Sequence, residues 1–261
     1  MCLSPIFLMK QNMYVPCGHC KECLLKSTYD WSHRIMIEAQ HHDKNCCVTL
    51  TYNDDNLPDD GMLYYRHVQL FLKKLRKDFA PEKVRFFCSG EYGDRYSRPH
   101  YHIILFGYYP TDGEYMFQRH GVRYFKSEYL NKLWSHGFAT FSAVTEKSAF
   151  YCAKYLQKLN FSDMPVKPFV HMSLKPGIGY QAYDSDMVFS SKLYVGGRAF
   201  SLPRFYRKML KRDFPEIYDT EPYKRQIVQS SHDRYAYLSK REVLRRDQIN
   251  KRFFKKYTLK Y

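Results

Sequence analysis

Two β-branched and aromatic runs, Val84 to Cys88 and His100 to Phe106, are separated by a short stretch that begins Ser89-Gly90-Glu91-Tyr92-Gly93 and ends at Pro99. Bounded in this way by Gly and Pro, they read as neighbouring strands joined by a loop of moderate length. The rest of the chain must be arranged around that pair. Helix-like apolar spacing marks Glu22 to Gln40, Arg66 to Phe79 (stopping before Pro81), Phe125 to Trp134, and Ser148 to Leu159 with Thr145 as N-cap and Ser148 as the fallback. Cys46 to Tyr52, closed by Asn53-Asp54-Asp55, and Phe138 to Val144 read as further strands. The resulting order predicts an α+β fold: a central, largely antiparallel sheet with helices packed on one face. Past Phe161 come Pro165, Pro168, Pro176-Gly177 and Gly196-Gly197, then basic helix candidates at Pro203 to Lys211 and Tyr235 to Lys256. The expected organisation is a Cys-rich segment with a helix over residues 1–43, a core over 44–160 and a basic, helical extension over 161–261.

Charge narrows the class of partner. The 261 residues carry 42 Lys+Arg against 26 Asp+Glu, a net +16, and from Arg198 onward there are 18 basic and 7 acidic residues. A polyanion is the expected partner, with the C-terminal quarter acting as a backbone-binding arm. Aromatic residues interleave with the charges there (Phe205, Tyr206, Tyr235, Tyr237, Phe253, Phe254), which suits base stacking plus phosphate contact better than a membrane surface. Disorder is excluded by 44% hydrophobic and 18% aromatic content. Apolar runs such as Ile103 to Phe106 fall far short of the ~18 residues that cross a bilayer. Met1 to Lys10 lacks the features of a secretory signal, so a soluble protein in a reducing cytoplasm is expected, its eight Cys being thiols or metal ligands.

Three constellations could carry chemistry. In His100-Tyr101-His102 the two imidazoles share one face of a strand, because successive side chains alternate. Eleven His make such a pair common by chance, and two polar sheet residues are the bland alternative. Glu91, at the end of the preceding strand, would complete a set of two His and one carboxylate with positions left for water and substrate oxygen; otherwise it is a turn residue. On the helix that follows, Tyr151, Lys154, Tyr155 and Lys158 fall within a roughly 100° arc, opposite Ala149, Cys152, Ala153, Leu156 and Leu159. A phenol is a poor nucleophile at neutral pH unless a nearby cation favours its phenolate, and the same cation binds the phosphate under attack. An exposed Tyr/Lys face is the alternative there.

Cys17, Cys20 and Cys23, in a C-x2-C-x2-C run, can wrap one tetrahedral ion, with Cys2, His19 or His33 as the fourth ligand. Structural zinc is the favoured reading, ahead of free thiols or an iron–sulfur centre. Cys46, Cys47, Cys88 and Cys152 read as small core residues.

Val48-Thr49-Leu50-Thr51-Tyr52, His100-Tyr101-His102 and Tyr151-x-x-Lys154-Tyr155-x-x-Lys158 follow one another in an order and spacing that resembles the three-motif signature of the HUH endonucleases that initiate rolling-circle replication. With two tyrosines in the third motif and the N-terminal Cys cluster, the chain is most similar to the replication initiators of microviruses, small single-stranded DNA phages. The resemblance covers about Cys2 to Leu159. It implies an HUH-type, ferredoxin- or RRM-like core in which Mg²⁺ or Mn²⁺ is held by His100, His102 and Glu91. It also implies attack by Tyr151 or Tyr155 on viral origin DNA, a 5′-phosphotyrosyl link, a freed 3′-OH primer and later rejoining of the displaced strand. The implied partners are origin DNA, as duplex and single strand, with a host helicase and DNA polymerase in the host cytoplasm. A helicase must be separate, since no P-loop motif is present. Lys175-Pro176-Gly177-Ile178-Gly179-Tyr180 also looks familial but has no assigned role. Two rival readings stay open at this level: a zinc-stabilised, non-catalytic protein that binds or packages single-stranded DNA, and a hydrolytic metal nuclease whose tyrosines merely stack bases.

Overall fold

A computed structural model describes residues 2–93, 96–155, 164–183 and 192–218. The chain divides into two units, Trp31–Tyr180 and a second combining Met1–Asp30 with the chain from Gln181. In chain order the elements are β1 (Ile6–Leu8), β2 (Met13–Val15), α1 (Lys21–Gln40), β3 (Asn45–Tyr52), α2 (Tyr65–Asp78), β4 (Arg85–Tyr92), β5 (Pro99–Phe106), β6 (Glu114–Arg119), β7 (Val122–Lys126), α3 (Glu128–Trp134), β8 (Gly137–Ala143), α4 (Glu146–Lys154), β9 (Phe169–Met172), β10 (Lys192–Val195), β11 (Arg198–Ser201), α5 (Arg204–Asp213) and α6 (Pro215–Tyr218).

The larger unit is built on a seven-stranded sheet in the order β6-β7-β8-β3-β5-β4-β9, every neighbouring pair antiparallel. Helices cover both faces, not one as the sequence suggested. On one face α2 (Val68, Phe71, Leu72, Leu75) and α3 (Leu130, Leu133, Trp134) pack on Val48, Leu50, Tyr101, Ile103 and Leu105. On the other, Ile35 of α1 and Ala149, Cys152 and Ala153 of α4 pack on Cys47, Phe87, Ile104 and Phe106. The reason lies in the central strands. Ile103, Ile104, Leu105 and Phe106 run without alternation, so β5 offers apolar side chains to both sides and needs a cover on each. Cys46, Cys47, Cys88 and Cys152 are all buried, as small core residues should be.

Several boundaries differ from the periodicity. The stretch from Ser89 to Tyr92 continues β4 instead of forming a turn, which puts Glu91 inside a strand. The helix expected from Phe125 starts three residues later, after Ser127, whose side chain accepts from the Leu130 N–H. Val122–Lys126 is instead the second strand of a β6–β7 hairpin. His120 and Gly121 both adopt positive φ, 52° and 79°, the pattern of a two-residue hairpin turn with the right-handed strand twist. A Tyr- and Phe-rich sequence without clean alternation, broken by a register shift between Tyr115 and Phe117, hid that hairpin from the periodicity. Short strands β1, β2, β9, β10 and β11 were likewise unforeseen, β10 and β11 turning at Gly196-Gly197.

In the smaller unit, Cys2, Cys17, Cys20 and Cys23 come together around the β1–β2 hairpin and the start of α1. The basic helix expected near Pro203 is present as α5. The candidate helix Tyr235 to Lys256, the residues Leu156 to Leu159 with Lys158 among them, and most of the expected boundary at Asn160 to Met164 lie outside the described residues.

Candidate active site and cysteine cluster

Sheet register brings the first group together. Glu91 on β4 pairs directly with His100 on β5, and Ser89 with His102. On the other flank of β5, Thr51 pairs with His100 and Thr49 with His102. Directly paired residues point to the same face, and the α4 packing identifies it. Ile104 of β5 and Cys47 of β3, in the same alternation, lie under Ala149, Cys152 and Ala153. Glu91 and His102 are buried, and His100 is half-buried.

Both imidazoles aim Nε2 at one carboxylate oxygen. His100 Nε2 is 2.9 Å and His102 Nε2 3.3 Å from Glu91 Oε1. The far sides of the rings are held too: His100 Nδ1 donates to the Arg98 carbonyl at 3.1 Å, and His102 Nδ1 meets Thr49 Oγ1 at 3.1 Å. A carbonyl only accepts, so His100 Nδ1 carries its proton, and Nε2 needs a positive charge between itself and Glu91. Burial alone would push the Glu91 carboxyl up, but the hydrogen bonds and charges of His100 and His102 outweigh it and hold the group well below the usual carboxylate range. Ser89 Oγ, buried in register with His102, has no hydrogen-bond partner among the described residues.

This donor set fits a divalent cation. Adjacent ligand atoms on an octahedron of ~2.1 Å bonds are ~3 Å apart, which matches the two Nε2–Oε1 separations. Hydrogen-bonded outer ring nitrogens are also the usual support for ligating imidazoles.

The tyrosines arrive on α4, whose start is well defined. Thr145 is the N-cap, accepting from the Ser148 N–H, while Ser148 Oγ accepts from the Thr145 N–H at 2.7 Å in a reciprocal capping box. From that fixed start the helix lays Tyr151 edge-on to His102, ring centroids 5.0 Å apart. Tyr155, at the helix C-cap, stacks on His102 at 5.4 Å, and the two phenol rings meet edge to face at 5.1 Å. The two tyrosines are not equivalent, although the helical wheel put both on the presented face. Tyr151 is 45% exposed, whereas Tyr155 is 4% exposed. Burial, the Glu91 charge and Tyr151, in that order, raise the Tyr155 phenol, which also hydrogen-bonds the Glu91 carboxylate. Lys154 is exposed on α4.

The cysteine cluster is equally compact. The four sulfurs of Cys2, Cys17, Cys20 and Cys23 lie within 4.8 Å of one another, with Cys17–Cys23 at 3.9 Å and Cys2–Cys20 at 3.8 Å. Sulfurs around a tetrahedral ion with ~2.3 Å bonds are ~3.8 Å apart. Backbone N–H groups of Leu3, Cys17 and Cys20 donate to these sulfurs at 3.2–3.3 Å, an arrangement that favours thiolates. Of the three fourth-ligand candidates, Cys2 is the one that joins the group; His19 and His33 are not among its members.

The family of replication-associated proteins typified by ORF2 matches residues 45–160. A replication-associated protein, VP4, of Bdellovibrio phage phiMH2K is 32% identical over 217 residues, covering 77% of this chain and 69% of that protein. The chain belongs to this family of phage replication-associated proteins. Replication-associated protein ORF4 of Chlamydia phage 1 is 31% identical over 228 residues, 80% of this chain, although the match spans only 57% of that protein's length. ORF2 of Spiroplasma virus 4, also a replication-associated protein, is 29% identical over 227 residues. No solved structure matches the chain. The family match of 45–160 contains Glu91, both histidines and both tyrosines, so the replication-associated family and the convergent site occupy one stretch of chain. No helix among the described residues is long and apolar enough to cross a membrane.

Sequence reasoning missed several supporting residues. Thr49, Ser89 and the Arg98 carbonyl touch or flank the imidazoles, yet only sheet pairing reveals it. Strand pairing was the one available signal, since any residue opposite a histidine must share its face.

Proposed function

We propose that this replication-associated protein nicks viral origin DNA by metal-assisted attack of a tyrosine and rejoins the displaced strand, so initiating rolling-circle synthesis. The observation that carries this reading is that the rings of Tyr151 and Tyr155 both lie against His102, itself within hydrogen-bond distance of Glu91. A nucleophile and a cation-binding group can thereby act on one phosphorus.

Glu91, His100 and His102 would hold Mg²⁺ or Mn²⁺, which when bound supplies Lewis-acid polarisation of the scissile phosphate. Glu91 anchors the pair of imidazoles, and Thr49 and the Arg98 carbonyl keep their rings oriented. One phenol oxygen forms a bond to phosphorus as the bond to the 3′ oxygen breaks. Its proton leaves the tyrosine, and the freed 3′ oxygen gains one to become a primer hydroxyl. The 5′-phosphotyrosyl link conserves the phosphodiester energy, so the reverse attack by a 3′-OH reseals a strand without a nucleotide cofactor. Two phenols against one histidine allow the second to cut a regenerated origin while the first still holds a DNA end. Lys154 and Lys158 would neutralise phosphate charge beside them. A host helicase and polymerase would supply unwinding and synthesis in the host cytoplasm, and zinc in the four-Cys cluster would hold the N-terminal segment.

The test is incubation of the protein with labelled origin oligonucleotide and Mn²⁺, followed by a denaturing gel. A protein band that retains label supports the reading. A nicked product with no covalent band points to a hydrolytic nuclease, and binding without cleavage to a non-catalytic DNA-binding protein.

A further inference from the structure

We infer that Phe138 is a stacking platform for an unpaired base of a single strand passing over the sheet beside the metal-ligand group. The inference rests on the nicking function proposed above and assigns the form and path of its substrate. Phe138 on β8 pairs with Thr51 on β3, which pairs with His100 on β5, so the three side chains share one face in one row. Strands lie about 4.8 Å apart, which puts the Phe138 backbone ~10 Å across the sheet from His100, within a nucleotide or two of the scissile phosphate. The adjacent row reads Lys126, Thr140, Thr49, His102. Hydroxyls and a cation therefore border the same path.

Phe138 is 61% exposed, whereas its neighbour Ala139, facing the opposite side, is buried. An aromatic ring left in water on a strand has no packing role to explain it, yet its backbone is rigidly placed. Thr51 Oγ1 donates to the Phe138 carbonyl, the Ala139 N–H donates to Asn131 Oδ1 at 2.7 Å, and Trp134 Nε1 donates to the Thr51 carbonyl at 2.8 Å. Just before it, Gly137 has φ of 154°, and a Cβ there would collide with the Thr51 carbonyl and the Asn53 N–H. Glycine thus lets β8 close on β3 at the point that sets the position of the ring.

The chemistry commits the occupant to single-stranded DNA. Bases in a duplex already stack on one another, and a ring standing on a sheet can reach a base face only when that base is unpaired. Further along this face, toward the edge of the sheet, the Phe117 and Tyr124 rings stack at 4.9 Å on the β6–β7 hairpin, a second aromatic surface for the same strand.

The experiment uses the full chain with fluorescent (dT)20 and with a 20-base-pair duplex. Phe138→Ala is expected to weaken (dT)20 binding ~10-fold or more, Phe138→Trp to restore it, and duplex binding to stay within two-fold. Equal affinity of Phe138→Ala and wild type for (dT)20, or an equal loss on both probes, overturns the inference. In a second measurement, wild-type protein is photocrosslinked to a 5-iododeoxyuridine-substituted strand. Crosslinks at Phe138 support the assignment, and crosslinks confined to other peptides overturn it. Both readouts are independent of covalent adduct formation. A wild-type protein that forms the adduct while Phe138→Ala binds normally would sink only the stacking role, and absence of the wild-type adduct would sink only the nicking function.

Discussion

Tyr155 lies flat on His102, with ring centroids 5.4 Å apart and planes 6° from parallel, while its hydroxyl is bonded to Glu91. Tyr151 touches the same imidazole only by its edge and keeps nearly half its surface in solvent. An incoming phosphate meets Tyr151 without displacing anything, whereas Tyr155 must first leave Glu91. Tyr151→Phe should therefore lower the first-turnover rate of adduct formation on a fresh oligonucleotide by ~100-fold or more, the scale expected when a nucleophile is lost. Tyr155→Phe should lower it by less than ten-fold and instead block strand transfer in a second turnover. Equal first-turnover defects in the two variants would make the phenols interchangeable, and an adduct that persists in the double variant would place the nucleophile elsewhere.

Glu91 makes the metal-free site sensitive to acid. Its carboxyl is depressed relative to the unfolded chain, so its contribution to stability is present above the ordinary glutamate range of about 4–5 and is lost as pH falls from there toward its folded value. Thermal melts in EDTA should show Tm dropping below pH 5, and Glu91→Gln should flatten that part of the profile. The same variant should lose most Mn²⁺ affinity in a calorimetric titration at pH 7.5. Unchanged Mn²⁺ affinity would remove Glu91 from the ligand set.

The cysteine cluster predicts a stoichiometry. Protein purified without chelator should carry about one zinc per chain by elemental analysis, and Cys17→Ser or Cys20→Ser should abolish it and lower Tm. Structural zinc binding is also folding energy, so a strong chelator should reproduce the loss in the wild type. Metal-free wild-type protein with an unaltered melt would reassign the four thiols as merely packed.

Glu38 gives the Lys175 to Tyr180 motif a structural role. Its buried carboxylate accepts from Arg85 Nε at 2.5 Å and from the Gly179 N–H at 2.6 Å, while Arg85 and Arg34 donate to the carbonyls of Pro176 and Ile178. Glu38→Ala would leave a guanidinium and a backbone N–H without their partner, a loss of about 3–5 kcal/mol. Chemical denaturation should register it as a lower midpoint at unchanged slope. A change under 1 kcal/mol would show that the loop is held by Ile178 packing alone.

Local chemistry was enough for part of this molecule. Period-two alternation puts His100 and His102 on one face whatever surrounds them, and the Thr145 and Ser148 side chains specify where α4 begins without help from the rest of the chain. The Cys-x2-Cys-x2-Cys spacing likewise brings three sulfurs together through a few residues of backbone. Tertiary structure decided the rest, because it depends on which strand lies beside which. Register across four strands sets Glu91, His100, Thr51 and Phe138 in a row, although they are scattered over 88 positions of chain from Thr51 to Phe138. A helical wheel shows only which residues share a face. It cannot show that Tyr155 is buried against an imidazole and Tyr151 is not, since that asymmetry comes from the tilt at which α4 meets the sheet and from the carboxylate waiting beneath it.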